Sequence, residues 1–223
     1  MPDLRWSSLP FLGFLLASFL FAALQQDQQK QAVPPPPVEG APASIGILLD
    51  NSGSMKDKRK EAIAALEELV KASNPNDEFF VVNFNVNPYL DLDYTSNPEA
   101  IFKALERADA HGGTSLYDAV FAAALHFQKG AKYKKKIIVL LTDGGDNSSR
   151  ESLRQVVEQL HKPDMPALYC IGMFYHQSTT ARERKQLDTL AQQTGGKSFY
   201  PNNKTQLKEM ARQIAQEINK AGN

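Results

Sequence analysis

A single cysteine, Cys170, stands in 223 residues, so no disulfide can close within the chain. It lies in the apolar run "ALYCIGMF" (167–174) and reads as a buried small hydrophobe rather than a reactive thiol. An excess of either charge is absent as well, because Lys plus Arg and Asp plus Glu number 25 each. Without a net field the chain has no electrostatic footprint for nucleic acid or for an anionic membrane surface. The basic cluster "KYKKK" (132–136) runs directly into an apolar strand and reads as its solvated entry. Histidine is scarce: His111, His126, His161 and His176 are scattered without H-x-x-x-H spacing, which removes the ligand set of a zinc hydrolase. No G-x-S-x-G elbow occurs, and Ser52 and Ser54 have no evident base.

One near-miss is "AQQTGGKS" (191–198), which imitates a phosphate loop. Such a loop must leave a strand and open a helix, so that helix-terminal N–H groups face the phosphates. Here a helix precedes it and a strand comes after. Gly195 and Gly196 read instead as a helix C-cap.

Long apolar runs are missing too, with one short exception. "LPFLGFLLASFLFAAL" (9–24) carries no charge and follows Arg5. As a helix it would reach roughly 24 Å, short of the roughly 30 Å hydrocarbon core. Residues 1–24 therefore read as a secretory signal, with an uncleaved signal-anchor as the alternative because Phe21 and Leu24 crowd the small residues. Residues 25–43 are Gln-rich and Pro-rich, and four consecutive prolines favour an extended spacer over a packed core. Both readings place the domain beyond the spacer in an extracytoplasmic space, secreted or membrane-anchored.

From residue 44 to 220 short apolar runs alternate with amphipathic segments. "SIGILL" (44–49), "EFFVVNF" (78–84), "KIIVLLTD" (136–143), "ALYCIGM" and "KSFYP" have strand character, and "PYLDLDY" (88–94) alternates as an exposed edge strand does. Between them, 58–73 carries Ile63, Leu66, Leu69 and Val70 on one helical face, and the last segment does the same with Leu207, Met210, Ile214 and Ile218. Asn97 and Pro98 mark a helix start, and Ser115 with Asp118 has the spacing of a capping box. Regular alternation of this kind predicts one α/β domain, a mostly parallel sheet with helices on both faces.

Where two of these strands end, oxygen-bearing side chains collect. Asp50, Ser52 and Ser54 occupy alternate positions in "ILLDNSGSMKDK" (47–58). Thr114 follows a glycine pair in "HGGTSLYDA", and Asp143 closes the central strand in "LLTDGGDN". Each loop taken singly is an ordinary turn or N-cap. Taken together they offer two carboxylates and three hydroxyls, a hard-oxygen set that suits Mg²⁺, Mn²⁺ or Ca²⁺ rather than zinc or copper. Open doubly wound sheets gather ligands at such strand ends, where the winding reverses. Five protein oxygens would leave a coordination position for an acidic ligand from outside.

"DNSGSM", "GGTSLYDA" and "VLLTDGGD", in that order, resemble a von Willebrand factor type A domain with its metal-ion-dependent adhesion site. "LDTLAQQTGGKSFYP" is similar to the end of bacterial secreted members, including the acidobacterial VWFA-related group. The resemblance spans 44–220. It implies a Rossmann-like, doubly wound sheet of six strands with one antiparallel edge at 88–94. It further implies a divalent cation, Mg²⁺ first, at Asp50, Ser52, Ser54, Thr114 and Asp143. The function it implies is a non-catalytic adhesion-type module whose protein partner completes the metal with an Asp or Glu carboxylate. The alternative is an accessory subunit that couples a metal-gated contact to an enzyme complex or assembly machine.

Overall fold

A computed structural model describes residues 40–175 and 181–220. The proposed signal at 1–24, all but the end of the spacer at 25–43, and His176 lie outside the described residues. Six strands form one sheet in the order β3-β2-β1-β4-β5-β6. These are β1 (Ser44–Asp50), β2 (Glu78–Phe84), β3 (Pro88–Thr95), β4 (Lys136–Thr142), β5 (Ala167–Gly172) and β6 (Ser198–Phe199). β3 runs antiparallel to β2 at the edge, and every other neighbouring pair is parallel. The expected doubly wound, Rossmann-like α/β fold is thus the one observed.

Among the described residues six α-helices cover the sheet: α1 (Arg59–Ala72), α2 (Pro98–Arg107), α3 (Leu116–Gly130), α4 (Leu153–Leu160), α5 (Ala181–Gln192) and α6 (Lys204–Lys220). Because strand side chains alternate between faces, β1 supplies both layers. Ile45, Ile47 and Leu49 join Ile63, Leu66 and Leu69 of α1, Ile101 of α2 and Ile214 of α6. Leu48 joins Val120 and Phe127 of α3, Val156 of α4 and Leu190 of α5 on the other side. Cys170 is fully buried in this second layer, where burial pushes its thiol pKa well up.

Local signals explain most boundaries. Asn97 caps α2 by accepting from the Glu99 and Ala100 N–H groups, with Pro98 in the first turn. Gly195 takes φ +73° after α5, and the Gly196 N–H closes back on the Ala191 carbonyl at 2.9 Å. The capping box expected at Ser115 and Asp118 does not form. Ser115 makes no side-chain cap bond, and Asp118 instead accepts from the Arg150 and Glu151 N–H groups. The start of α3 is thereby tied to the loop after β4 rather than closed on itself. A capping box does appear at Ser152 and Gln155, opening α4.

The winding direction changes beside β1. From β1 the chain adds β2 and β3 on one side, then crosses to place β4 on the other. The carboxyl ends of β1 and β4 therefore flank a topological switch point, the place where open α/β sheets form their ligand crevices.

Candidate metal centre

Three loops meet at that point, each delivered by a buried element. The first leaves β1 at Asp50 and makes a short 3₁₀ turn, Gly53–Met55, before α1 begins. Met55 is fully buried and anchors the turn, so Ser52 and Ser54 are held against the sheet end. The second runs from α2 to α3 and carries Thr114. The third leaves β4 and begins with Asp143.

Hydrogen bonds lock the loops together. The Gly53 N–H donates to the Gly112 carbonyl at 2.9 Å, and the His111 N–H to the Asn51 carbonyl at 2.9 Å, joining first to second. Gly112 takes φ +73°, which the turn requires and which glycine adopts at least cost. Thr114 is gripped on both of its backbone polar groups. Its N–H donates to Asn147 Oδ1 at 2.8 Å, and its carbonyl accepts from the Asn147 and Ser148 N–H groups. A side chain at Gly113 would strike Ser148 Oγ, so the glycine pair lets the second and third loops touch.

The side chains converge in the same way. Ser54 Oγ donates to Asp143 Oδ1 at 2.7 Å and lies 3.2 Å from Ser52 Oγ. Asp50 Oδ1 accepts from the Ser52 N–H at 2.7 Å, and its Oδ2 from Thr142 Oγ1 at 2.6 Å. Asp50 and Asp143 are 0% and 1% exposed. Burial pushes the Asp50 carboxyl up to about 6, against the hydrogen bonds from Thr142 and Ser52, and the charge of Asp143 adds to the rise. The structure thus brings Asp50, Ser52, Ser54 and Asp143 into one hydrogen-bonded group and fastens the Thr114 backbone to the same loops. Among the described residues no three His, Cys, Asp or Glu side chains gather as a metal cluster, so an ion here would rely on hydroxyls as much as on carboxylates.

Three contributors are not evident in the sequence pattern. Thr142 supports Asp50 from the neighbouring strand, and Asn147 fixes the Thr114 loop. Lys58, only 6% exposed, donates from Nζ to Asp143 Oδ2. It takes the N-cap position of α1 without a side-chain cap bond, and a cation there opposes the helix dipole. Asn51 is a brace rather than a donor to the cluster: its amide reaches Asn83 Oδ1 at 2.7 Å and its own Oδ1 accepts from Arg59.

Residues 45–145 match the von Willebrand factor type A domain family. The uncharacterized protein sll0103 of Synechocystis sp. is 26% identical over 188 residues, covering 81% of this chain and 43% of its own length. The chain thus spans less than half of that curated relative. Among solved structures, a von Willebrand factor type A protein from Catenulispora acidiphila aligns with a TM-score of 0.68 at 21% identity, over 80% of this chain and 43% of that one. Proximal thread matrix protein 1 from the mussel byssus gives 0.66 at 18% identity, over 82% and 47%. The conserved hypothetical protein BatB from Bacteroides thetaiotaomicron gives 0.63 at 17%, over 80% and 100%. Identities this low speak for the fold alone. The chain is thus similar to the von Willebrand factor type A domain family in sequence over 45–145, and its six-stranded architecture is the fold of the solved type A protein from Catenulispora acidiphila.

Proposed function

We propose that this chain is an extracytoplasmic, non-catalytic protein-binding module that works through a divalent cation at Asp50, Ser52, Ser54, Thr114 and Asp143. One observation carries the reading: oxygen donors from loops 89 residues apart in sequence are gathered at the sheet's switch point by the Ser54–Asp143 hydrogen bond. The donor chemistry fits a hard cation. Of the buried charged groups at this end of the sheet, two are carboxylates and one is an ammonium, which leaves negative charge to be balanced. Hydroxyls and carboxylates favour Mg²⁺, with Mn²⁺ and Ca²⁺ as alternatives.

A bound ion supplies a Lewis-acidic position for an Asp or Glu carboxylate from a protein partner. The chain's own residues hold and orient. Asp50 is aimed by Thr142 and the Ser52 N–H, Asp143 by Ser54 and Lys58, and the Thr114 loop by Asn147. Exposed Val86, Tyr89 and Leu90 lie on and just before the edge strand β3, and a Cβ on Gly112 would touch Val86. Apolar surface therefore adjoins the second loop, as a protein-binding face requires. In this reading residues 9–24 export or anchor the domain and 25–43 space it from the membrane; no helix among the described residues is long and apolar enough to cross one.

The decisive test is calorimetric titration with Mg²⁺, Mn²⁺ and Ca²⁺, then a pull-down from the extracytoplasmic fraction with Mg²⁺ against a chelator. Saturable metal binding and chelator-sensitive capture are expected. Absence of metal binding, or binding unchanged in Asp50→Ala, overturns the proposal.

A further inference from the structure

Lys58 accepts two penalties at one position. Its ammonium is removed from water, with the side chain 7% exposed, and burial of a charge is costly unless it is paired. It also stands at the N-terminus of α1, where the helix dipole favours an anion. A lysine at an exposed N-cap would swing outward and avoid both. Here its own N–H is held by the Met55 carbonyl at 3.0 Å, so the backbone is fixed one turn beyond Ser54. From there the side chain reaches inward and donates to Asp143 Oδ2, while Ser54 bonds the other oxygen of the same carboxylate. Lys58 is therefore part of the charge constellation that would face the ion.

We infer that Lys58 sets the divalent-cation affinity of this site, acting as a tethered cation that weakens metal binding at Asp143. The inference rests on the metal reading above and goes beyond it. An incoming divalent ion must either displace the ammonium from Asp143, losing a buried ion pair, or bind beside it and bear the repulsion. Either route makes the complex less stable than in a chain with a neutral side chain at 58. If the ammonium stays, the charges of two carboxylates, one lysine and one divalent ion leave an excess of one positive charge. That surplus favours an anionic ligand in the remaining coordination position. The residue thus trades affinity for metal against affinity for a carboxylate.

The test uses the full chain and Mn²⁺ and Mg²⁺ alone, titrated at fixed ionic strength into wild type, Lys58→Met, Lys58→Gln and Lys58→Arg. Met preserves the stem's packing and Gln a polar tip, while Arg keeps the charge; circular dichroism verifies folding of each. The expected result is binding about ten-fold tighter in Lys58→Met and Lys58→Gln, with Lys58→Arg close to wild type, since only the neutral changes remove a close unit charge. Metal-induced elevation of the melting temperature should be larger in the neutral variants for the same reason, a readout that lost packing alone would not raise. Wild type that binds metal while the folded neutral variants bind no tighter overturns the role of Lys58 and leaves the metal reading standing. No binding by wild type or any variant overturns both. Binding by the neutral variants alone overturns the metal reading for the native chain and shows Lys58 to be the group that opposes the ion.

Discussion

Ser54 donates its hydroxyl proton to Asp143 Oδ1 at 2.7 Å, across 89 positions of sequence. The bond joins the loop after β1 to the loop after β4, two strands paired in parallel register from Ser44 with Lys136 to Leu49 with Leu141. Because that register brings the strand ends level, the two loops open at the same height and their polar side chains meet. The candidate centre is set by strand pairing before any side chain is considered.

Replacing Asp143 should remove most of the metal affinity, but the choice of residue matters. Asp143→Ala leaves the Lys58 ammonium buried without this carboxylate, a loss of about 3–5 kcal/mol by analogy with broken buried pairs. Asp143→Asn keeps an acceptor for Ser54 and confines the damage. Calorimetry should show Mg²⁺ binding weakened at least about ten-fold in Asp143→Asn, since one of two anionic donors is neutralised. Chemical denaturation should separate the two variants, with Asp143→Ala clearly the less stable.

Asn147 holds the second loop by accepting from the Thr114 N–H, so Asn147→Ala leaves a buried donor unmatched. A cost of about 1–3 kcal/mol in folding free energy is expected. Metal affinity should fall with it, because Thr114 loses a fixed position. Urea melts and then Mn²⁺ titration would measure both, and unchanged affinity would separate the Thr114 loop from the site.

Gly46 lies in the middle of β1 under the ring of Phe80, and a Cβ there would meet the ring at 2.3 Å. Phe80 cannot yield freely, as it packs edge-on against Tyr94, His126 and Phe127. Gly46→Ala should destabilise the fold by about 1–3 kcal/mol, the range for overpacked cores. A thermal melt would register this as a lower midpoint.

Asp77, at the opposite end of the sheet, accepts from the Ala43 and Asn74 N–H groups and is 2% exposed. Burial nevertheless raises its pKa from 3.8 to about 6. A carboxyl raised on folding binds more protons in the native state across that window, so stability is fullest below about 4 and declines as pH rises through about 6. Asp50 acts in the same direction. Denaturation in chelator between pH 4 and 7 should show a shallower decline in Asp77→Asn than in wild type. An equal slope would remove Asp77 from the linkage.

Much of this was legible from local pattern. The run of seven buried residues in β1, the Ile63-to-Val70 face of α1 and the Asn97-Pro98 helix start are properties of neighbouring residues, and each appears where its pattern places it. β6 is shorter than its pattern, two residues against the five of "KSFYP", because it lies at the sheet edge and pairs only with β5. The capping box at Ser115 failed for a related reason: the correct spacing was present, but the loop after β4 offered Asp118 its N–H groups instead. Tertiary partners outcompeted a local motif of similar strength.

The sequence by itself determined which oxygens are available, since Asp50, Ser52, Ser54, Thr114 and Asp143 stand out by type and spacing at strand and helix ends. It also determined the alternation of strands and helices, because hydrophobic period depends only on nearby residues. Only the tertiary structure decided which strand lies beside which, and hence that Thr142 supports Asp50 across 92 positions and Lys58 reaches Asp143 across 85. Strand order is fixed by the packing of whole layers, and no short window of sequence contains it. For Lys58 the same letter can mean a solvated helix end or a buried counter-charge, and burial chose the second.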